Sequence, residues 1–425
     1  MKFSRAFALT ILAVTLGLQG CGKEQTSSSE LVVKIGSVAP LTGPQAHLGK
    51  DNDNGARLAI EEVNAQSLVI GGKKVRFELI SEDDQADPKT ATIVAQKLVD
   101  QKVNAVIGHL NSGATIPASK IYHDAGVAQI SPSATAIPYT QQGFKNAFRV
   151  ITNDEQQGKV LGEFAVKQMA AKKIAIIDDR TAYGQGLADQ FEKAAKAGGA
   201  EILAREYTTD RATDFLAILT TIKGRQPDLV FYGGMDAQAG PMVKQMRSLG
   251  LNAKFLGGDG AQSIEFIKLA GTDAEGVTAS SPGLPLTKMP GGSEFLKKFE
   301  SKYGKIQIYA PYAYDATMTL IEAMKKADSV EPAKYLPVLA QIQRNGVTGP
   351  IAFDAKGDVK GGAVTLYQVK GGNWVPLQTL GQAAPPAQQE AGATGKHLRL
   401  DESGLLNEIS IDTTAPKEPL IKPST

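Results

Sequence analysis

Residues 31–256 alternate short apolar runs with longer stretches whose apolar residues recur at helical spacing. This alternation confines the chain to folds built on a parallel sheet covered by helices on both faces. Strand candidates at 31–38, 75–80, 103–107 and 127–130 are separated by helix candidates. One helix carries Ala56, Leu58, Ala59, Ile60 and Val63, another Ile93, Val94, Leu98 and Val99. After a strand at 147–150 the chain runs through Thr152-Asn153-Asp154-Glu155 and the pattern starts afresh. Helices at 156–171, 185–197, 214–222 and 237–249 then alternate with strands at 173–178, 201–207, 229–232 and 254–256. A length of 425 residues exceeds one average core, so two doubly wound units are expected. Further on come a strand at 277–281, helices at 293–303, 312–326 and 332–343, and a strand at 364–369 followed by Trp374.

The stretch 103–135 carries the densest site chemistry. A buried-strand run breaks at Gly108, Asn111-Ser112-Gly113 precedes a helix, and a second run stops at Ser131-Pro132-Ser133-Ala134-Thr135. A helix N-terminus beside two hydroxyls suits a carboxylate, because free N–H donors and the helix dipole both favour negative charge. Ser112 and Thr135 as caps of their own helices is the competing reading, and the residues leave both open.

The termini carry other signals. Lys2 and Arg5 precede an apolar run at 6–18, too short for a membrane span and suited to a signal peptide. It ends at Leu18-Gln19-Gly20-Cys21, which resembles the bacterial lipobox, with Cys21 lipidated as the mature N-terminus. Signal cleavage beside an incidental cysteine is the alternative. As Cys21 is the chain's one cysteine, no disulfide framework is expected. Residues 22–30 read as a tether, and 381–425 as a low-complexity tail with one marginal apolar patch at 398–411.

Other chemistries find little support. A net charge of +2 without aromatic-basic interleaving gives no reason to expect nucleic acid. Gly43 to Lys50 fails as a phosphate loop, since Asp51 stands where Ser or Thr should follow the lysine. Gly184-Gln185-Gly186 and Gly258-Asp259-Gly260 lack a dinucleotide fingerprint's third glycine. His47, His109, His123 and His397 show no metal-ligand spacing, and His109 reads as a packed structural residue. No nucleophile with its base stands out, so an enzyme, cofactor or metal is not expected.

Polar groups remain at strand ends in both halves: Ser112, Ser133 and Thr135 in the first, Tyr183, Asp236 and Asp259 in the second. Two doubly wound units facing one another would close a cleft over a ligand, and hydroxyls opposite a carboxylate match the zwitterion of an amino acid.

Several motifs recur in a specific order: Ala39-Pro40-Leu41-Thr42-Gly43-Pro44, Asp83-Asp84-Gln85-Ala86-Asp87-Pro88, Val106-Ile107-Gly108-His109-Leu110, Ser131-Pro132-Ser133-Ala134-Thr135, Tyr183-Gly184-Gln185-Gly186, Tyr232-Gly233-Gly234 and Gly349-Pro350-Ile351-Ala352-Phe353-Asp354. Together they resemble the leucine/isoleucine/valine-binding proteins, the periplasmic receptors of branched-chain amino-acid ABC importers, over residues 31–374. The resemblance implies an α/β fold of two doubly wound parallel-sheet lobes joined by a three-crossover hinge, the type I periplasmic binding protein. The N-terminal lobe would be 31–150 plus 277–349, the C-terminal lobe 151–276 plus 350–380.

Carried over by residue, Ser112 and Thr135 would donate to the ligand carboxylate, with N–H groups near them. The Ser133 carbonyl and the Asp259 carboxylate would hold the ammonium, Tyr183 would close the cleft, and Leu110, Asn111 and Ala134 would complete the first wall. Leu48 and Met235 stand where relatives often carry aromatics and would form adaptable apolar surfaces. Asp259 replaces a commoner glutamate, Ala86 and Asn111 stand where some relatives have a disulfide, and Tyr309 and Tyr312 are either pocket walls or core.

The implied function is an extracytoplasmic substrate-binding protein that captures an aliphatic, branched-chain-type amino acid by hinge closure and passes it to an ABC permease. It would be monomeric and periplasmic, touching the membrane only through a lipid anchor on Cys21. The alternative is a sensor of the same fold that binds an amide, urea or aromatic acid.

Overall fold

The computed structural model describes residues 30–381 and the two strands of a hairpin, Leu398–Leu400 and Leu406–Glu408. The expected signal peptide with Cys21 and nearly all of the tether lie outside the described residues. The hairpin falls within the apolar patch of the tail, to which the sequence reading assigns no fold.

The first sheet contains β1 (Leu31–Ala39), β2 (Val69–Ile70), β3 (Lys73–Asp83), β4 (Ala105–Gly108), β5 (Ala128–Ser131) and β6 (Ala147–Arg149). Its order is β2-β3-β1-β4-β5-β6, parallel except for β2. Four helices connect these strands: α1 (Ala46–Asn64), α2 (Pro88–Asp100), α3 (Ser112–Asp124) and α4 (Pro138–Gln141). Asp87 caps α2 by accepting from the Thr90 N–H at 2.7 Å, with Pro88 in the first turn where its missing N–H costs nothing. Both faces are buried. Val33, Ile35 and Phe77 share a core with Ala56, Ile60 and Val63 of α1, while Val38 and Val106 meet Leu98 of α2 and Tyr122 of α3. Each Val, Leu, Ile or Phe among them contributes about 1.5–3 kcal/mol when removed from water.

The second unit repeats the arrangement. β7 (Lys173–Asp178), β8 (Glu201–Tyr207), β9 (Leu229–Gly233), β10 (Lys254–Gly257) and β11 (Thr278–Pro282) run parallel. They are served by α5 (Asp154–Lys167), α6 (Ala182–Ala197), α7 (Leu216–Gly224), α8 (Asp236–Ser248) and α9 (Ile264–Ala270). Along β7 the side chains alternate: Ile174 and Ile176 join Leu187 and Phe191 of α6, whereas Ala175 and Ile177 join Met242 and Met246 of α8.

The chain then returns to the first sheet as α10 (Gly292–Tyr303), α11 (Ala310–Lys326) and α12 (Pro332–Ala340). Tyr335 of α12 donates to the Asn104 carbonyl at 2.6 Å, and Leu320 and Ile321 of α11 join the first-sheet core. A small hairpin of β12 (Gln343–Asn345) and β13 (Pro350–Ala352) precedes β14 (Val364–Lys370) and β15 (Asn373–Leu380). These last two lie antiparallel at one edge of the second sheet, whose order is β15-β14-β11-β10-β9-β7-β8.

Two lobe boundaries differ from expectation. β11, expected in the N-terminal lobe from residue 277, pairs with β10 and β14, so the second crossover follows Pro282. The segment after 350, expected in the C-terminal lobe, stays with the first. Phe353 packs on Phe148 with ring centroids 4.9 Å apart, and Asp358 pairs with Arg149 at the end of β6. The third crossover therefore lies between Asp358 and β14. Pairing partners of single strands are long-range facts that periodicity does not carry.

Strand order reverses between β1 and β4 in the first sheet and between β7 and β9 in the second. Ligands of doubly wound sheets bind outside the carboxyl ends of strands at such a reversal. The loops and helix starts that follow those strands carry Gln45 and Leu110 to Ser112 on one side, Asp179 to Tyr183 and Met235 on the other.

Candidate functional site

The first wall is built from hydroxyls tied to backbone. Ser131 Oγ donates to the His109 carbonyl at 2.9 Å and accepts the Ala134 N–H at 2.9 Å, which folds the turn after β5 back onto the end of β4. Ser133 Oγ donates to the Leu110 carbonyl at 3.2 Å and accepts from Asn52 Nδ2 at 3.1 Å. Ser112 Oγ accepts the Ala136 N–H at 3.1 Å, which leaves its hydrogen free to donate. Asn111 forms no side-chain cap on α3, so the Ser112 and Gly113 amides at its start remain available, while Ala114 N–H is held by the Asn111 carbonyl. Thr135 is fully buried and its Oγ1 has no partner. His109 is buried between Asp84 at 2.8 Å and Tyr122 at 3.0 Å, the structural role expected of it.

The second wall is acidic. Asp259 is 1 % exposed, and its two oxygens accept phenol hydrogen bonds from Tyr183 at 2.8 Å and Tyr309 at 2.7 Å. Burial pushes its carboxyl above the usual range, against the lowering effect of the bonds from Tyr309, Tyr183 and Gln157. Tyr183 lies in the first turn of α6, whose N-cap is Thr181. Its hydroxyl also accepts the Gly260 N–H at 2.9 Å. A Cβ on Gly260 would stand 2.7 Å from Met235 Sδ and 2.9 Å from Tyr183 Cε1, so glycine there permits the approach of both.

Tyr309 comes from the first lobe. Asp51 of α1 accepts the backbone N–H groups of Gln307, Ile308, Tyr309 and Ala310 at 2.8–3.0 Å and so pins the residue at the start of α11. The Tyr309–Asp259 bond therefore spans the cleft. A second cross-cleft bond joins His47 Nε2 of α1 to Asp236 Oδ2 of α8 at 2.6 Å, with Ser263 Oγ donating to the same oxygen. Burial pulls the His47 pKa down, yet the hydrogen bond and charge of Asp236 lift it above the usual histidine value.

Asp154, passed over by the sequence reading, opens α5 at zero exposure, and neither carboxylate oxygen has a partner in hydrogen-bonding geometry. Burial pushes it up to about 8, with the neighbouring Thr135 hydroxyl opposing and the Asp259 charge adding. An unpartnered buried carboxylate is costly, and a cation beside it relieves the cost.

Leu110, Asn111, Ser112 and Ser133 meet Tyr183, Met235, Asp259 and Tyr309 around one inner cavity of about 20 Å³, room for a single water-sized group. The lobes are closed in this conformation and must part to admit a larger ligand. Thr135, Ala134 and Leu48 do not line the cavity. The Ala134 amide and carbonyl are engaged by Ser131 and Arg149, and Leu48 is fully buried in the core of α1. Of the two tyrosines left open, Tyr309 is a wall, while Tyr312 donates to the Pro282 carbonyl at the second crossover. Among the described residues no group of three or more His, Cys, Asp or Glu could hold a metal, and no helix is long and apolar enough to cross a membrane.

The profile of a periplasmic binding protein family matches residues 32–373. A Leu/Ile/Val-binding protein homolog of Brucella suis is 37% identical over 340 residues, covering 79% of this chain and 90% of that protein. The fold is similar to a leucine binding protein from Thermotoga maritima, with a TM-score of 0.77, 27% identity, and coverage of 82% of this chain and 98% of that one. It is also similar to a branched-chain amino acid transporter substrate binding protein from Streptococcus pneumoniae in complex with isoleucine, with a TM-score of 0.75, 30% identity, and coverage of 83% and 100%. The chain belongs to the periplasmic binding protein family, in the group of the leucine/isoleucine/valine-binding proteins.

Proposed function

We propose that the protein is the substrate-binding component of an ABC importer and captures an aliphatic, branched-chain-type amino acid between its lobes. The observation that carries this is the opposition of Ser112 and the uncapped N-terminus of α3 to Asp259 across one closed cavity. The ligand carboxylate takes the Ser112 hydroxyl and the Ser112 and Gly113 amides at the start of α3. The ammonium takes Asp259 and the Ser133 carbonyl, each charge-assisted bond contributing roughly 1.5–3 kcal/mol. Met235 and Leu110 offer the aliphatic chain an adaptable apolar surface. Mechanism here is closure, with binding affinity set by contacts that only the closed state makes. The protein acts outside the cytoplasm as a monomer, held to the membrane by a diacylglyceryl group on Cys21, as the Leu18-Gln19-Gly20-Cys21 sequence supports.

Calorimetric titration with leucine, isoleucine, valine, phenylalanine and short amides tests the ligand class: heat is expected with the branched-chain amino acids. Absence of heat with every α-amino acid would reject the reading. Mass spectrometry of the mature N-terminus tests the anchor, and an unmodified N-terminus other than Cys21 would reject it.

A further inference from the structure

Gln157 stands one turn after Asp154 in α5 and is 1 % exposed. Its side-chain oxygen serves two partners from separate parts of the second lobe. Oε1 accepts the Asp259 N–H at 3.0 Å and the Ser280 hydroxyl of β11 at 2.7 Å. The first bond fixes the main chain of Asp259 where it leaves β10, at the start of the 3₁₀ turn Asp259–Ala261. Fixing the backbone there sets the direction in which the carboxylate points.

The other end of the amide singles Gln157 out. The Asp259 N–H is a donor, so the amide oxygen must be the end that faces it, and Nε2 is left for an acid. Nε2 is buried without a hydrogen-bond partner, which is costly until an acceptor takes it. Asp259 is the acid on which this side chain acts. Contact with Gln157, like contact with Tyr309 and Tyr183, opposes the rise that burial imposes on the Asp259 carboxyl. Asp154, Tyr183, Tyr309 and Tyr312 are the other titratable groups close enough to feel the Asp259 charge. Burial pushes the three phenols up, so they stay neutral, and Asp154 adds a second carboxyl at about 8.

We infer that Gln157 is a positioning residue for ligand capture: it orients the Asp259 backbone and offers amide donors to the carboxylate, so that Asp259 meets the ammonium as an anion. The inference rests on the assignment of the ammonium to Asp259 proposed above, and it adds a residue outside the cavity that prepares Asp259 for that role.

Leucine affinity of the full chain, measured by calorimetry from about pH 5 to about pH 9, tests it. An ionised Asp259 binds the ammonium, so its contribution is complete well above the carboxyl's pKa in the free protein and is lost as pH drops through it. Gln157→Met keeps the length of the side chain and removes both polar ends. It is expected to weaken leucine about tenfold near neutral pH and to move the acid fall upward by roughly one pH unit. Gln157→Asn withdraws the amide by one methylene and should move the fall in the same direction. Ser280→Ala removes the other partner of Oε1 without touching Asp259, and should lower stability while leaving the profile in place. A loss equal at every pH in both Gln157 variants, or no loss, would overturn the inference, because a strut that only ties α5 to β11 has no reason to respond to pH. In the wild-type chain the Gln157 side-chain amide resonances should move with the same midpoint as leucine affinity, and resonances fixed through that range would overturn it as well. Asp259→Ala keeps the two ideas apart. Undiminished leucine binding there would remove the ammonium assignment and the inference with it, whereas a large loss beside unshifted Gln157 profiles would sink the inference alone.

Discussion

The two walls of the cleft are made of different chemistry. The first-lobe wall is neutral: Ser112 and Ser133 are already bonded to their own lobe's backbone, and the α3 amides are fixed by the helix. The second-lobe wall presents buried acids: Asp259 lines the cavity and Asp236 meets His47 across the cleft. The cross-cleft bonds reach two of these acids from the first lobe, through Tyr309 and His47. A neutral, prebuilt wall can bind an anion without moving. An acidic wall loses water only when the cleft shuts, and burying its carboxylates is unfavourable until a cation arrives. On the proposed reading, capture of the ammonium favours closure, because it supplies the cation that offsets burial of the Asp259 carboxylate.

If the acidic wall controls binding, Asp259→Ala should show the largest effect. It removes the ammonium anchor and leaves the Tyr183 and Tyr309 hydroxyls without their acceptor. Loss of one partner from a buried charged pair costs about 2–5 kcal/mol, so leucine affinity by calorimetry should fall by roughly two orders of magnitude. A loss under about tenfold would move the ammonium to Asp154 and break the assignment.

The neutral wall should respond less. Ser112→Ala is expected to cost about 1–2 kcal/mol, near tenfold in affinity, because it deletes one hydroxyl donor among several amides. Comparing leucine with leucinamide, which lacks the carboxylate, sharpens this. The gap between the two ligands should narrow in the variant, and an unchanged gap would place the carboxylate elsewhere.

The cross-cleft imidazole gives a smaller, pH-dependent effect. The His47 pKa is raised in the closed form, so its contribution is complete below the ordinary histidine value and is lost as pH rises through the raised one. Leucine should bind severalfold more tightly at about pH 6 than at about pH 8.5, since partly exposed ion pairs contribute up to ~1 kcal/mol. Glu265 and Asp51 add charge in the same direction, while Asp154, with its carboxyl near 8, titrates in the same window. The informative quantity is therefore the difference between wild type and His47→Gln. The variant should flatten the alkaline fall, and identical profiles would show that the pair forms in both open and closed states.

Local chemistry made the neutral wall legible in the sequence and left much of the acidic one hidden. Strand ends at Gly108 and Ser131 announce Ser112 and Ser133 by the breaks that follow them, and the βα alternation predicts both sheets. Tyr309 is different: it reaches Asp259 only because α11 folds back onto the first lobe after the second crossover. Asp51, which pins Tyr309, sits in the polar run Lys50-Asp51-Asn52-Asp53-Asn54 of α1, and its four backbone partners lie far along the chain. Asp154 read as part of a polar break, since nothing in Asn153-Asp154-Glu155 tells which carboxylate turns inward. The crossovers at Pro282 and after Asp358 escaped because strand partners are chosen across the whole chain.

Leu48 separates wall from core most directly. The resemblance places it at the ligand, but helical spacing sets it in one stripe with Ala56, Ala59 and Val63, and the structure buries it fully in that stripe. Leu48→Ala should therefore leave leucine affinity within about twofold while lowering stability by about 2–5 kcal/mol, the range for a leucine removed from a packed core. Denaturant unfolding measures the second quantity and calorimetry the first. A large affinity loss with little change in stability would return Leu48 to the cleft. It would also mean that the open state rotates α1 enough to present this side chain to the ligand.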